Sequence, residues 1–384
     1  MKHWSQDKTD RLAKREKIRK SRRSKRDLAG DLSSQNFELK ESEWPCADQG
    51  EQELFAARVV EVHKKYAFVS VEPTWGDIRT EDVWLATVAR KYTQTRRQER
   101  NFITVGDRVL CRPGSQEGSQ VSEDLPSAII ENRAPRISRL ARLDPLTPER
   151  EHVLAVNMDQ LVIVASYVFP KVKWGLIDRY LLLAEEQGLR ATLILNKKDL
   201  LLDQSQQFQD ECSEYTDIYR GLGYDVLSVQ AHRPGKDAGA IRKVFANQIS
   251  LVAGHSGVGK SSLVNLLEPE ISQDVETESI LTKGRHTTTY SSFIRLGVGG
   301  YVIDTPGIRS FMLSDRSPID LNWAFVEMRP FQGLCKFREC RHIDEPGCEV
   351  IKAVQEGRIS RQRYKSYLTI LTGASGREGR IRDL

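Results

Sequence analysis

No stretch of this sequence approaches the roughly 18 consecutive apolar residues that a membrane-crossing helix needs. Its opening, Met1 to Ser5, has no apolar core of the kind that a secretory signal carries. Asp7, Asp10, Glu16 and Asp27 interrupt the basic run that follows, which argues against an organellar transit peptide. Cysteine is scarce: there are six, and Cys46, Cys111 and Cys212 are scattered without the spacing of a disulfide framework. These absences lead to the expectation of a cytoplasmic protein with no membrane partner.

What is present suits a globular protein with two or three cores: 384 residues, 39% of them hydrophobic and 29% charged. The net charge of +5 is unevenly placed. Residues 1–30 hold twelve Lys/Arg against four Asp/Glu, a surplus of eight, which leaves the rest of the chain three units negative. Residues 352–382 hold eight basic residues against two acidic ones. Basic ends on a near-neutral body suggest an anionic polymer as partner, the plain alternative being tails that only aid solubility.

The pattern divides the chain into four. Residues 1–50 are too poor in apolar side chains to offset ordering entropy and are expected to be a disordered basic tail. Residues 51–135 show short β-like runs at 55–62, 66–71, 83–88, 108–112 and 127–131, about what a small closed barrel needs. An OB-fold is the first choice, with Tyr92, Arg96, Arg97 and Arg100 as RNA-binding candidates. An SH3-like spacer barrel is the alternative. Residues 136–315 alternate apolar strands with amphipathic helices, which implies a mostly parallel α/β sheet. Residues 316–384 hold a Cys/His cluster and two helical stretches, 349–356 and 361–371.

The α/β region carries three motifs. Gly254-His255-Ser256-Gly257-Val258-Gly259-Lys260-Ser261 follows an apolar run and precedes a helix-like segment that begins at Ser261-Ser262. Strand, glycine loop and helix are the context in which backbone N–H groups cradle a phosphate. Lys260 would reach the β- and γ-phosphates, and the Ser261 hydroxyl would ligate Mg²⁺. Asn196-Lys197-Lys198-Asp199 follows another apolar strand. Its Asp carboxylate can accept from both N1–H and the 2-amino group of guanine, donors that adenine lacks there. The stem of Lys197 would lie along the base. Asp304-Thr305-Pro306-Gly307 follows a third strand; Asp304 would hold Mg²⁺ through water and the Gly307 N–H would sense the γ-phosphate.

Together these motifs imply GTP hydrolysis, and their order is permuted. An ordinary G domain begins with its P-loop and meets the guanine motif late; here residues 196–199 precede 254–261, which precede 304–307. The loop after Gly307 therefore leads directly into the C-terminal segment, a plausible way to couple hydrolysis to partner affinity. Between P-loop and Asp304, Thr288 is the expected Mg²⁺ ligand, with Thr287 as runner-up. Ile308 stands where many GTPases carry a water-orienting glutamine, so His286 is the candidate for that work, the alternative being a surface histidine. Among nucleotide-binding positions Ala231 is included for its backbone N–H.

Cys335, Cys340, His342 and Cys348 make a complete tetrahedral zinc set within fourteen residues, with no open position, which indicates a structural site. Such a metal would supply much of the folding energy of a segment too small for its own core.

These motifs in this order resemble the ribosome small-subunit-dependent GTPase A (RsgA) family over roughly residues 52–371. The runs 284–289, 335–348 and Ile177-Asp178-Arg179-Tyr180 add to the likeness. The resemblance implies a GTPase of late 30S maturation that binds the immature subunit and its 16S rRNA near the decoding centre. It implies turnover stimulated by the subunit and release after hydrolysis; a monomer with one structural zinc ion is expected. His255 stands where relatives are expected to carry Gln, and Gln230-Ala231 stands in place of a Ser-Ala pair.

Overall fold

The computed structural model describes residues 54–63, 65–71, 83–89, 102–114, 125–143, 151–233, 235–267, 292–304 and 318–372. The expected basic tail, Tyr92, Arg96, Arg97, Arg100, His286, Thr287, Thr288 and Gly307 lie outside them. The chain forms two compact units, one holding the described residues up to 304 and the other those from 318 onward.

The first unit opens with five strands: β1 (Phe55–Val62), β2 (Ala67–Val71), β3 (Val83–Val88), β4 (Arg108–Pro113) and β5 (Ser127–Arg133). They close into an OB-like barrel in the order β1-β2-β3-β5-β4, with β3 and β5 parallel and the other pairs antiparallel. Strand β2 alternates buried and half-buried residues, as a strand with one face on a core must. Phe55, Val59, Val69, Val109 and Ile130 fill the interior. Cys111 is among them, and burial pushes its thiol pKa well up, so it acts as a small apolar filler.

A hairpin follows, β6 (Arg139–Leu143) with β7 (Glu151–Val156), which the apolar pattern did not foreshadow. It is tied to the barrel at a tight junction. Gly106 has φ +94°, and a Cβ there would sit 2.2 Å from the Val156 carbonyl oxygen, so only glycine fits. Asn157 Nδ2 donates to the Gly106 carbonyl at 3.0 Å, and Arg136 grips the buried Asp107 carboxylate with two hydrogen bonds of 2.8 and 2.7 Å.

Six further strands form one sheet: β8 (Gln160–Ser166), β9 (Arg190–Asn196), β10 (Asp225–Ser228), β11 (Ile249–Ala253), β12 (Ser292–Arg295) and β13 (Tyr301–Asp304). Their order is β10-β9-β8-β11-β13-β12, parallel except for the edge pair β12–β13. Helices α1 (Trp174–Gln187), α2 (Lys198–Leu201), α3 (Gln206–Gly221), α4 (Asp237–Phe245) and α5 (Lys260–Leu267) connect the strands. Every residue of β8 is buried, the mark of a strand covered on both faces. Strand β11, which feeds the glycine loop, lies between β8 and β13, so the chain enters the sheet at the strand next to its centre and not at the P-loop strand.

The second unit contains α6 (Pro318–Ala324), a 3-10 turn at Val326–Phe331, α7 (Glu349–Gln355) and α8 (Arg361–Leu371). Arg363 is fully buried and paired with Glu327 at 2.7 and 3.1 Å, its guanidinium lying over the Phe325 ring. Among the described residues no helix is long and apolar enough to cross a membrane.

Candidate functional site

The glycine loop leaves β11 with Gly254 at φ +153°, Gly257 at +78° and Gly259 at +102°. Two of these positions have no room for a side chain. A Cβ on Gly254 would stand 2.1 Å from the Val164 carbonyl, and one on Gly259 would stand 2.1 Å from Asn196 Nδ2. The loop therefore packs directly on the ends of β8 and β9. Lys260 opens α5 and donates its ammonium to the carbonyls of Gly254 and His255, at 3.0 and 2.8 Å. His255, Ser256 and Ser261 are exposed, Ser262 is half-buried, and Val258 is buried beneath the loop.

The guanine motif meets this loop side by side. Asn196 ends β9 fully covered; its Nδ2 donates to the Val258 carbonyl and its Oδ1 accepts from the Ala231 N–H, both at 2.9 Å. One carboxamide thus joins three loops that are far apart in sequence. Lys197 stands at φ +61° and donates to the Phe169 and Gly257 carbonyls, the latter at 2.8 Å. That contact draws the loop after β8 and the P-loop to the same ammonium. Asp199 Oδ1 is buried and has no hydrogen-bond partner among the described residues. An unpaired buried carboxylate oxygen is costly, and donors such as the N1–H and 2-amino groups of guanine would relieve it.

Two of the candidate nucleotide-binding positions have partners within the fold. The Lys198 ammonium is turned to Asp237 Oδ1 at 2.7 Å, and the Ala231 N–H is committed to Asn196. Asp304 closes β13, the neighbour of the P-loop strand. Asp237 was not foreseen: nothing local marks an acid in a helix's first turn as part of a site.

In the second unit the ligand atoms of Cys335, Cys340, His342 and Cys348 lie within 4.8 Å of one another. Tetrahedral zinc with Zn–S bonds of about 2.3 Å sets its sulfurs about 3.8 Å apart. The Cys335 and Cys348 sulfurs are 3.9 Å apart, and His342 Nδ1 is 3.6 and 3.2 Å from them. Distances and donors fit a zinc ion. The hydrogen bond shared by the two sulfurs draws the Cys335 thiol pKa down and pushes that of Cys348 up. Around the cluster, Glu345 accepts from the Arg341 and Ile343 N–H groups at 2.8 Å each, and Cys348 caps α7 by accepting from Ile351 N. Burial tends to raise the Glu345 pKa, but those backbone bonds bring it below the usual carboxylate range.

His342 Nε2 lies 2.9 Å from the Asn322 amide, and Tyr367 holds Asn322 Oδ1 at 2.6 Å and the Arg341 carbonyl at 2.7 Å. A metal on Nδ1 requires the proton on Nε2, so the loaded site needs the Asn322 oxygen turned to that proton. No sequence spacing pointed to Asn322 or Tyr367.

A phosphate loop locked to a guanine motif on a six-stranded sheet entered beside its centre defines a circularly permuted G protein. The family model described as RsgA GTPase matches residues 133–314. The Small ribosomal subunit biogenesis GTPase RsgA of Chlorobaculum tepidum is 38% identical over 272 residues, 71% of this chain and 85% of its own length. The protein of the same name from Ectopseudomonas mendocina is 41% identical over 273 residues, 70% and 74% of the two chains. Among solved structures, YjeQ from Thermotoga maritima aligns with a TM-score of 0.64 at 29% identity, covering 84% of this chain and 99% of its own. YloQ, described as a circularly permuted GTPase, aligns with 0.62 at 26% identity over 85% and 96%. The chain belongs to the RsgA GTPase family and is a GTP-hydrolysing enzyme.

Proposed function

We propose that this GTPase acts in late maturation of the small ribosomal subunit. It binds the 30S particle and its 16S rRNA near the decoding region, is stimulated by the subunit, and leaves when GTP is hydrolysed. The carrying observation is the Asn196 junction beside an Asp199 oxygen with no partner among the described residues, which supports a guanine site next to the glycine loop, in a chain whose relatives bear the name of small-subunit biogenesis GTPases.

In this reading Asp199 selects the base, Lys197 lines it, and the amides from Gly254 to Ser262, with Lys260, hold the phosphates. Ser261, Thr288 and the strand-end Asp304 would surround Mg²⁺, which when bound neutralises charge between the β- and γ-phosphates. Gly307 senses the γ-phosphate and His286 positions the attacking water. Zinc sits in the Cys335, Cys340, His342 and Cys348 cluster as a structural ion. The working partition is a basic tail over 1–50, an OB-fold barrel over 51–135, a permuted G domain over 136–315 and a zinc-binding domain over 316–384, in a cytoplasmic monomer.

Phosphate release measured alone and with purified 30S, 50S and 70S particles tests this. Stimulation by 30S above the other two is expected, together with cosedimentation with 30S under a non-hydrolysable GTP analogue and its loss under GDP. Equal turnover with and without 30S would overturn the proposal.

A further inference from the structure

The element that carries Asp199 cannot hold itself in place. Helix α2 has four residues, none of them buried, and no side-chain cap. Lys198 and Asp199 form its first turn, and what fixes them comes from the segment after β10. The Lys198 N–H donates to the Val229 carbonyl at 3.1 Å. Its ammonium reaches Asp237 Oδ1 at 2.7 Å, while Asp237 Oδ2 accepts from the Gln230 N–H at 3.0 Å. The adjacent Ala231 N–H goes to Asn196.

Asp237 is well placed as an anchor. It lies in the first turn of α4, where the helix dipole favours a carboxylate, and α4 is held to the core by the fully buried Ile241 and Phe245. Its side chain is 18% exposed against 41% for Lys198, so the fixed partner is the acid and the mobile one the lysine.

We propose that the Lys198–Asp237 pair is a positioning clamp for guanine recognition: Asp237 ties the Gln230–Ala231 turn to the Asn196–Asp199 segment and sets the direction of the Asp199 carboxylate. Lys198 is thereby a positioning residue that acts through Asp199. The inference rests on the reading that Asp199 contacts the base. Both clamp residues are partly exposed, so the effect comes from pre-organisation of a marginal element and is modest in size.

The clamp acts on the carboxylate's aim, so its loss falls hardest on the contact that needs two aligned acceptors. Guanine offers N1–H and a 2-amino group, whereas hypoxanthine offers N1–H alone. A pair that merely stabilised the fold would weaken both nucleotides alike.

The test uses the full chain and equilibrium binding of GDP and IDP. Lys198→Met and Asp237→Asn are each expected to weaken GDP binding about three- to fivefold, and to lower the GDP-over-IDP ratio. The Lys198→Met/Asp237→Asn double variant should be no weaker than either single one, because the two act through one interaction. Asp237→Ala, which also strands the Gln230 N–H, should lose about tenfold. If it fails to fold, the Asp237→Asn cycle carries the test. Unchanged GDP binding in both single variants, additive losses, or equal weakening of GDP and IDP would each overturn the clamp. Asp199→Asn measured alongside separates the two claims. Full guanine preference in that variant removes the base assignment itself, whereas loss of preference without coupling in the cycle removes only the clamp.

Discussion

Asn196 Nδ2 donates to the Val258 carbonyl at 2.9 Å across 62 residues of sequence, joining the guanine motif to the P-loop inside the folded sheet. Its other amide atom takes the Ala231 N–H. Asn196→Ala strands both buried groups, each worth about 1–3 kcal/mol when left unpaired. GDP affinity is expected to fall at least tenfold, with a lower melting temperature. Gly259→Ala should do similar damage from the opposite side, because its Cβ would stand 2.1 Å from the same Nδ2 at φ +102°. Gly221→Ala is the control, since a Cβ there meets nothing within 4 Å. Fluorescent-GDP titration with thermal melts reads all three, and wild-type affinity in Asn196→Ala would refute the lock.

Base selectivity should follow one atom pair. An Asn at 199 presents an acceptor and a donor where Asp199 presents two acceptors, so it complements the N1–H and C2 carbonyl of xanthine. Asp199→Asn is expected to lose about tenfold or more for GDP while gaining for xanthosine diphosphate. Competition binding checks this, and an unaltered GDP preference contradicts it.

Phosphate release should fall at two positions, and at one of them it should separate from binding. Lys260→Ala removes the ammonium that the proposed site uses to hold the phosphates and is expected to abolish phosphate release. His286→Ala should slow release about a hundredfold or more while changing GTP affinity far less, as loss of a water-positioning group does. Single-turnover rates beside GTP dissociation constants distinguish the two. A variant at 286 that loses only affinity makes that histidine a structural residue.

Metal removal should act on the second unit first. A chelator strong enough to strip zinc is expected to unfold the 333–348 loop and loosen α7, whose cap is the ligand Cys348. Asn322→Leu keeps all four ligands but takes away the acceptor for His342 Nε2–H, and should lower zinc affinity roughly 10- to 100-fold. Zinc release to a colorimetric chelator, followed by circular dichroism, reads both. Equal zinc retention in Asn322→Leu would show that the amide plays no part.

The motifs were legible from the sequence because each is a short contiguous run whose chemistry depends on its own spacing. The phosphate loop needs glycines at 254, 257 and 259, and those three positions do have positive φ. Four thiol and imidazole ligands within fourteen residues likewise point to one ion, and the structure brings them within 4.8 Å. Strand and helix placement followed for the same local reason: apolar periodicity marks β8, β9, β11 and α1 directly.

Tertiary structure alone decided how those runs meet. That Asn196 sits between Val258 and Ala231, that Lys198 turns to Asp237, and that Asn322 faces His342 depend on strand order and on helices packed from elsewhere in the chain. The β6–β7 hairpin belongs with them: it ends at Val156, whose carbonyl excludes any side chain at Gly106. A side chain's local sequence sets what it can bond to. Which partner it takes is set by what the fold carries within about 3 Å of it.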